Sequence, residues 1–311
     1  MKMVFLDAAT MGPASLEPIA ALGELVLYPT SSYQESLQRV ADAEVILTNK
    51  APVDDGVMAA APALKMICVS ATGTNHIDLE AARRRGIAVR NVAGYSTESV
   101  LQITFMHILS LVNRPAFYDE EVKDLSYSRR GVANDVREPF RELYGKTIGI
   151  IGMGNIGQRV AQVAAAFGMK PVYYSTSGTS HCKDWPSLPL DDLLASADIV
   201  SIHCPLNDRT RGLIGARELA LMKPSAYLVN LGRGAVVDEL ALAVAVDAGQ
   251  IAGAALDVYS TEPLPEDHPL LHTSHPERLR FTPHIAWASH ESLARLVARM
   301  AENIREVMEI A

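Results

Sequence analysis

Short apolar runs rich in β-branched residues alternate with longer stretches of helical periodicity along most of the chain. Such alternation is typical of parallel sheets covered by helices. In the N-terminal segment the runs predict strands at Met3–Leu6, Glu24–Tyr28, Val45–Thr48, Met66–Val69 and Ala88–Asn91. Helices are expected between them at Gln34–Ala41 and Leu79–Arg85. This segment is therefore predicted to form a small α/β unit.

A second alternating unit begins sharply at Thr147. Its apolar runs predict strands at Ile148–Ile151, Val172–Tyr174, Ile199–His203, Ala226–Asn230, Gly253–Asp257 and Leu279–Thr282. Helices are predicted at Ile156–Phe167, Leu190–Ser196, Ala216–Met222 and Asp238–Ala248. The whole segment therefore predicts a second parallel sheet with covering helices.

Three further segments flank this second unit. Thr97–Glu121 is apolar and largely free of Gly and Pro, which predicts one long buried helix. Ser126–Leu143 is polar and contains Gly131 and Pro139, which predicts an extended loop or arm. Ser289–Ala311 has apolar residues at helical spacing and is expected to be an amphipathic helix.

Length and composition narrow the class of protein. The chain has 311 residues, which favours two domains, and 49% hydrophobic residues suffice for buried cores. The net charge of −8 argues against a nucleic-acid surface, and no apolar stretch reaches the roughly 18 residues of a membrane span. The three cysteines indicate no disulfide framework, and the N-terminus does not resemble a signal peptide. We expect a reduced, cytoplasmic protein that binds no nucleic acid, membrane or metal.

The most specific motif is a glycine loop, in which Ile148–Ile151 runs directly into Gly152-Met153-Gly154-Asn155-Ile156-Gly157. Gly152 permits a tight turn, Gly154 lets the backbone approach a pyrophosphate, and Gly157 allows close packing of helix on strand. Free N–H groups at the start of the following helix, from Asn155 and Ile156 onward, suit phosphate oxygens. A strand before the motif and a helix after it favour a dinucleotide site over a structural turn.

The second strand of such a unit usually ends in an acid that binds the ribose hydroxyls. Here the strand leads to Ser175, Thr176 and Ser177, whose hydroxyls would not repel a 2′-phosphate and could donate to it. Only Lys183 and His181 supply basic groups nearby in sequence. The choice between NAD and NADP therefore stays open, as does a plain polar loop without a role in that choice.

Three later strand ends carry residues whose chemistry suits hydride transfer to a ketoacid. Arg233 could hold a carboxylate and polarise a carbonyl, and His284 could supply a proton near neutral pH. Glu262 beside the histidine would favour the protonated ring and fix its tautomer. Each residue alone has a structural interpretation, but ligands bind at the carboxyl ends of parallel strands, so all three can converge.

Four motifs follow one another along the chain: the glycine loop Gly152-x-Gly154-x-x-Gly157, then Asn230-Leu231-Gly232-Arg233-Gly234, then Asp257-Val258 with Glu262-Pro263, and then Thr282-Pro283-His284. This order resembles the D-isomer-specific 2-hydroxyacid dehydrogenases. The stretches Asn49-Lys50 and Thr282–Ser289 resemble the glycerate dehydrogenase / hydroxypyruvate reductase branch. The resemblance implies two Rossmann-like, doubly wound parallel-sheet domains with the active site in the cleft between them. It places a substrate-binding domain at residues 1–97 plus 289–311 and a dinucleotide-binding domain at residues 98–288.

The resemblance also implies roles for single residues. Arg233 would bind substrate, His284 would be the acid/base, and Glu262 would be its partner. Further substrate contacts would come from Lys50, Thr72, Gly73 and Trp287, although Lys50 could be a surface lysine and Trp287 could simply pack. Contacts to NAD or NADP would come from the glycine loop, Ser175 to Ser177, His284 and a set of strand ends: His203, Cys204, Pro205, Thr210, Asn230, Leu231, Gly232, Asp257 and Ala286. The stretch from His203 to Thr210 could instead be only a strand end and its loop, and Asp257 could be only a strand-end cap.

The sequence therefore predicts an NAD(P)-dependent dehydrogenase that interconverts a small 2-ketoacid and its D-2-hydroxyacid, with hydroxypyruvate/glycerate or glyoxylate/glycolate favoured. The arm at Ser126–Leu143 and the long helix at Thr97–Glu121 resemble the segments that form the dimer contact in this family, so a homodimer is expected. The alternative is an NAD(P)H-sensing corepressor or binding protein, because this fold also serves in that way. Turnover with a panel of ketoacids separates the two.

Overall fold

Short apolar runs form two parallel sheets in the computed structural model, which describes residues 1–179 and 182–309. The chain divides into two units, one made of Met1–Ser96 with Ala288–Ala311 and the other of Thr97–Trp287. The predicted fold class, two parallel-sheet α/β domains, is confirmed.

The first unit holds a five-stranded parallel sheet of order β2-β1-β3-β4-β5. Its central strands β3 and β4 are buried along their whole length, which explains why they read as continuous apolar runs. The strands are β1 Lys2–Phe5, β2 Glu24–Leu27, β3 Val45–Thr48, β4 Met66–Val69 and β5 Ala88–Arg90. The helices are α1 Glu17–Ala20, α2 Tyr33–Arg39, α3 Asp55–Ala59 and α4 Leu79–Arg85.

Local signals define the helices of this unit. Ser32 and Glu35 form a reciprocal capping box at the start of α2, and Asp78 caps α4, which ends at the left-handed Gly86. The short helices α1 and α3 are absent from the sequence prediction, since each spans too few residues to show a periodic pattern.

The second unit holds a six-stranded parallel sheet of order β11-β10-β9-β8-β6-β7. The strand order reverses at β6, which places the carboxyl end of that strand at the topological switch point. The strands are β6 Thr147–Ile151, β7 Lys170–Tyr174, β8 Ile199–Ile202, β9 Tyr227–Asn230, β10 Gly253–Leu256 and β11 Leu279–Phe281. The helices α5 to α11 are Thr97–Asn113, Pro115–Lys123, Ser126–Arg130, Asn155–Ala166, Leu190–Ser196, Ala216–Leu221 and Glu239–Asp247.

The single helix predicted over Thr97–Glu121 is wrong, because the chain forms α5 and α6 with a break at Arg114. Arg114 adopts φ 51°, and Pro115 follows it as the first residue of α6. Proline disfavours helical geometry in the residue before it, which accounts for the break. The arm predicted at Ser126–Leu143 is also not wholly extended, since it begins with α7.

The last helix, α12 (His290–Met308), belongs to the first unit. Its buried positions recur every three or four residues, and they include Leu293, Val297, Met300 and Ile304. This face packs against α1 and β4, so the amphipathic pattern reflects burial in that unit. Ile310 and Ala311, at the end of the predicted helix, lie outside the described residues. In residues 1–179 and 182–309, no helix is both long and apolar enough to cross a membrane.

Candidate active site

The glycine loop joins β6 to α8 in the way its spacing predicts. A Cβ atom on Gly152, which has φ 96°, would lie 2.8 Å from the backbone nitrogen of Cys204. A Cβ atom on Gly157 would lie 2.2 Å from the carbonyl oxygen of Gly152. No heavy atom lies within 4 Å of a Cβ built on Gly154, the N-cap of α8. Packing thus requires glycine at two positions, whereas the third leaves open space before the free N–H groups of a helix.

A cavity of about 320 Å³ opens beside this loop. His203 contributes an Nδ1 atom that is shielded from solvent and has no hydrogen-bond partner among the described residues, while its Nε2 lies 2.8 Å from the Ser201 hydroxyl. Burial lowers the pKa of His203 to about 3, so the ring is neutral. The lining residues are Gly152, Met153, Gly154, Tyr173, Ser175, Thr176, Ser177, Thr179, Cys182, His203, Pro205, Asn207 and Arg209. The open space at Gly154 and the Nδ1 atom of His203, which has no partner among the described residues, suit the binding of a dinucleotide.

Seven of the predicted cofactor residues line this cavity; the others support it or lie elsewhere. The Thr210 hydroxyl is buried, donates to the carbonyl of Pro205 at 2.7 Å and accepts from the Asn207 N–H at 2.8 Å, which shapes the loop after β8. The remaining predicted cofactor residues, which do not line it, are Asn155, Ile156, Gly157, Cys204, Thr210, Asn230, Leu231, Gly232, Asp257, His284 and Ala286.

The loop after β7 carries the serines in place of the usual acid. The hydroxyls of Ser175 and Ser177 both donate to the carbonyl of Thr179, at 2.6 Å and 3.1 Å. Arg209 reaches the same loop from the segment after β8, with Nη1 3.6 Å from where a Cβ on Gly178 would lie. Among the described lining residues there is no carboxylate. His181 lies outside the described residues.

Arg233 follows β9 and is presented by the buried side chain of Asn230. The amide of Asn230 donates to the carbonyl of Arg233 at 3.0 Å and its oxygen accepts from the N–H of Gly232 at 3.0 Å. Arg233 Nη1 donates to the carbonyl of Gly232 at 2.7 Å. Asn230 thus shapes the turn that carries the guanidinium.

Glu262 and His284 lie together, although 22 residues separate them in the chain. Nδ1 of His284 is 2.7 Å from Oε2 of Glu262, and Oε1 of Glu262 accepts from the N–H of Tyr259 at 3.1 Å. An ionised carboxylate only accepts hydrogen bonds, so the Nδ1 atom carries the hydrogen of this contact. His284 has φ 54°, a conformation that non-glycine residues adopt rarely and mainly where surrounding structure enforces it.

Asp257 provides much of that enforcement. Its carboxylate accepts from the N–H groups of Ile285 and Ala286, both at 2.9 Å, and from the Thr282 hydroxyl at 2.6 Å. Burial raises the pKa of the Asp257 carboxyl, against these hydrogen bonds and the nearby His284. Asp257 therefore braces the segment on both sides of His284, a contribution separate from the contact to NAD or NADP that the resemblance implies.

The predicted substrate residues of the first unit lie on two loops. The buried carboxylate of Asp7 accepts from the N–H groups of Asn49, Lys50 and Ala51 at 2.6–2.9 Å, which holds the turn that exposes Lys50. Thr72 donates through Oγ1 to Val92 at 3.0 Å, and Gly73 follows it. In the second unit, the Trp287 indole N–H donates to the carbonyl of His284 at 2.9 Å.

Sequence reasoning missed Arg209 and Asp7. Each is separated in sequence from the loop it lies beside, and neither lies in a recognised motif. For Arg209 a signal was available, since the loops after β7 and β8, the two strands that flank β6, lie at the same edge of the sheet.

Residues 105–286 match the family model described as "D-isomer specific 2-hydroxyacid dehydrogenase, NAD binding domain". The chain is 34% identical over 316 residues to a hydroxypyruvate reductase of Blautia hydrogenotrophica, covering 99% of this chain and 97% of that protein.

Two solved structures have the same fold over nearly the whole chain. A D-lactate dehydrogenase from Aquifex aeolicus, complexed with NAD and lactic acid, superposes with a TM-score of 0.86 at 30% identity, covering 99% of this chain and 96% of that chain. An NADPH-dependent glyoxylate/hydroxypyruvate reductase from Sinorhizobium meliloti, in complex with citrate, superposes with a TM-score of 0.85 at 25% identity, covering 99% and 95%.

Proposed function

Since this chain belongs to the D-isomer-specific 2-hydroxyacid dehydrogenase family and is an NAD(P)-dependent oxidoreductase of 2-hydroxyacids, we propose that it reduces hydroxypyruvate to D-glycerate, with glyoxylate as a second substrate. The relative from Blautia hydrogenotrophica bears the name hydroxypyruvate reductase, which supports this choice. The observation that carries the proposal is the 2.7 Å contact between His284 and Glu262 on neighbouring strand-end loops.

The residues divide the chemistry between them. Arg233 binds the substrate carboxylate and polarises the carbonyl that is reduced. His284 holds its Nδ1 hydrogen against Glu262, which leaves Nε2 to deliver a proton to the carbonyl oxygen. A dihydronicotinamide held beside the glycine loop would supply the hydride that the carbonyl carbon accepts. Lys50, Thr72, Gly73 and Trp287 are proposed to contact the substrate, with backbone N–H groups at Thr72 and Gly73 facing its carboxylate.

For the cofactor we propose a preference for NADPH. Arg209 brings a guanidinium to the loop of Ser175 and Ser177, and the described lining of the cavity has no carboxylate to repel a 2′-phosphate. A guanidinium with neighbouring hydroxyls is a suitable site for a phosphate. The remaining predicted cofactor contacts, at the glycine loop and at the ends of β8, β9, β10 and β11, are common to both dinucleotides.

The experiment that tests function and preference together is the ratio of kcat/KM for hydroxypyruvate with NADPH and with NADH. We expect turnover of both hydroxypyruvate and glyoxylate. The ratio of kcat/KM with NADPH to kcat/KM with NADH should be above one. A ratio below one contradicts the cofactor preference alone. If a panel of small ketoacids produces no oxidation of either dinucleotide, a sensing or corepressor protein is favoured instead.

We also propose that the protein is a cytoplasmic homodimer. Large apolar side chains remain exposed on α6, at Val122, and in the arm, where Val136 is 77% exposed and Phe140 is 61% exposed; Tyr144, directly after the arm, is 77% exposed. A second copy of the chain would cover this face. Cys68 and Cys204 are free and buried, which suits a reducing compartment. Sedimentation velocity tests the dimer, and Phe140→Asp should shift the population toward monomer.

A further inference from the structure

A buried carboxylate outside the proposed catalytic set lies behind the loop that carries Glu262. Glu239, at the start of α11, has a side chain that is only 4% exposed. Its Oε1 accepts from the N–H of Ser260 at 2.7 Å, and its Oε2 accepts from the Ser260 hydroxyl. Both oxygens thus hold a residue two positions before Glu262.

His268 completes the environment of this carboxylate. The N–H of Leu270 donates to Nδ1 of His268 at 3.3 Å, so the neutral ring carries its hydrogen on Nε2. That Nε2 lies 3.1 Å from Oε2 of Glu239 and donates to it. Glu239 therefore accepts from three donors, a pattern that only an ionised carboxylate satisfies well.

The segment that Glu239 holds is in contact with the other two strand ends. A Cβ atom on Gly234, next to Arg233, would lie 1.8 Å from the carbonyl carbon of Tyr259, so the two backbones touch. The Tyr259 hydroxyl donates to the carbonyl of Thr282 at 3.0 Å, two residues before His284. One loop, Tyr259 to Glu262, thus contacts both the arginine turn and the histidine turn.

We propose that Glu239 is a positioning residue, which through Ser260 fixes the loop that holds Glu262 against His284 beside the Arg233 turn. The proposal rests on the proposed function for its kinetic consequence, because only in a working dehydrogenase does the Glu262–His284 contact matter for rate. Removing the anchor lets Glu262 retreat from the ring, and displacements of about 1 Å can cost on the order of 100-fold in rate.

Glu239→Gln is the decisive variant, because its amide would present a donor to the donor Nε2 of His268 while keeping the shape of the side chain. We expect kcat for hydroxypyruvate to fall roughly 10- to 100-fold with the dinucleotide Kd unchanged. The alkaline limb of the pH profile of hydroxypyruvate reduction should move to lower pH as the His284 imidazolium loses its partner Glu262.

Two further variants provide comparison. Ser260→Ala, which keeps the contact between the Ser260 N–H and Glu239, should have a smaller effect than Glu239→Gln. Glu218→Gln, at the capping carboxylate of α10, is the matched control and should leave kcat unchanged.

A double-mutant cycle separates positioning from simple stabilisation. If Glu239 acts through Glu262, Glu239→Gln should cost less than about threefold in a Glu262→Gln background. An equal cost in both backgrounds, or a lowered Tm with unchanged kcat and pH profile, overturns the proposal.

A readout without turnover distinguishes this inference from the function on which it rests. The Nδ1 hydrogen of His284 is held against Glu262 at 2.7 Å, so the wild type should show a downfield imidazole proton resonance in its NMR spectrum. The Glu239→Gln variant should lose this resonance, because Glu262 is no longer held against the ring. Loss of the resonance in the variant, without ketoacid turnover in the wild type, refutes the proposed function and upholds the positioning role. Turnover in the wild type with an unchanged resonance in the variant upholds the proposed function and refutes the positioning role.

Discussion

Gly157 packs against Gly152 so closely that a Cβ atom on Gly157 would lie 2.2 Å from the carbonyl oxygen of Gly152. By contrast, a Cβ on Gly154 meets no heavy atom within 4 Å, and Gly154 has an ordinary φ of −79°. Substitution by alanine should therefore lower the stability of the protein at Gly157 and weaken dinucleotide binding at Gly154. Gly157→Ala forces backbone to shift and should lower the free energy of unfolding by about 1–3 kcal/mol. Gly154→Ala should change that free energy by less than about 1 kcal/mol but weaken dinucleotide binding, since it fills the approach to the phosphates.

Thermal unfolding and fluorescence titration with NADPH measure the two effects separately. Loss of binding in Gly154→Ala with an unchanged Tm supports a phosphate site at this loop. Unchanged NADPH affinity in that variant would contradict it.

His284→Ala should lower kcat for hydroxypyruvate by about 10²–10⁴-fold, the range of a general acid–base contribution. Glu262→Gln should cost less, because the ring remains but loses its charged partner. The chain offers a matched control in His275, which lies 3.2 Å from Glu277 in an exposed pair of the same unit. His275→Ala should keep full activity, and steady-state kinetics under identical conditions compares all three. Full turnover by His284→Ala would remove this histidine from the mechanism.

The fold could be predicted because buried parallel strands such as β3 and β4 are continuous apolar runs. Both the apolar runs and the glycine loop at Gly152 can be recognised from a few consecutive residues, so neither requires knowledge of distant contacts. The break at Arg114 was missed, although Pro115 signals it, because the apolar residues Ala116, Phe117 and Tyr118 follow the proline.

The candidate site was predictable only where residues belong to motifs. Arg233, Glu262 and His284 each follow a strand, and the sheet rule brings their loops together. Glu239 could not be found in this way, because it lies on a helix and its partner Ser260 is 21 residues away. Its contribution depends on side-chain packing that no periodic pattern encodes.

Arg209→Gln should lower kcat/KM with NADPH by about 10-fold or more and leave the value with NADH within twofold, since a hydrogen bond between charged groups contributes about 1.5–3 kcal/mol. Ser175→Asp should lower the NADPH value further, by charge repulsion with the 2′-phosphate. Arg211→Gln is the control, because Arg211 follows on the same loop but does not line the cavity. Equal losses with both dinucleotides would assign Arg209 to the shared part of the cofactor or to the loop structure.

His107 should make the protein sensitive to acid well above the range of its carboxylates. The ring is buried, its Nε2 lies 2.9 Å from the Thr282 hydroxyl, and burial with the nearby Arg280 lowers its pKa to about 4. In the unfolded chain this histidine has a pKa near 6.5. Below that pH the unfolded state therefore binds a proton that the folded state does not bind. Stability is therefore fully present above about 6.5 and is lost as pH falls toward 4, by up to about 3 kcal/mol.

Replacement of His107 by Gln removes this proton while leaving a polar group for Thr282. Between pH 4.5 and 6, the slope of the unfolding free energy against pH should decrease by about 1 kcal/mol per pH unit relative to wild type. Urea unfolding at several pH values measures the slope, and His275→Gln, on the surface, should leave it unchanged. Parallel curves for wild type and His107→Gln would mean that the folded protein accepts the proton at this site. The buried ring would then have access to solvent or to a rearranged partner.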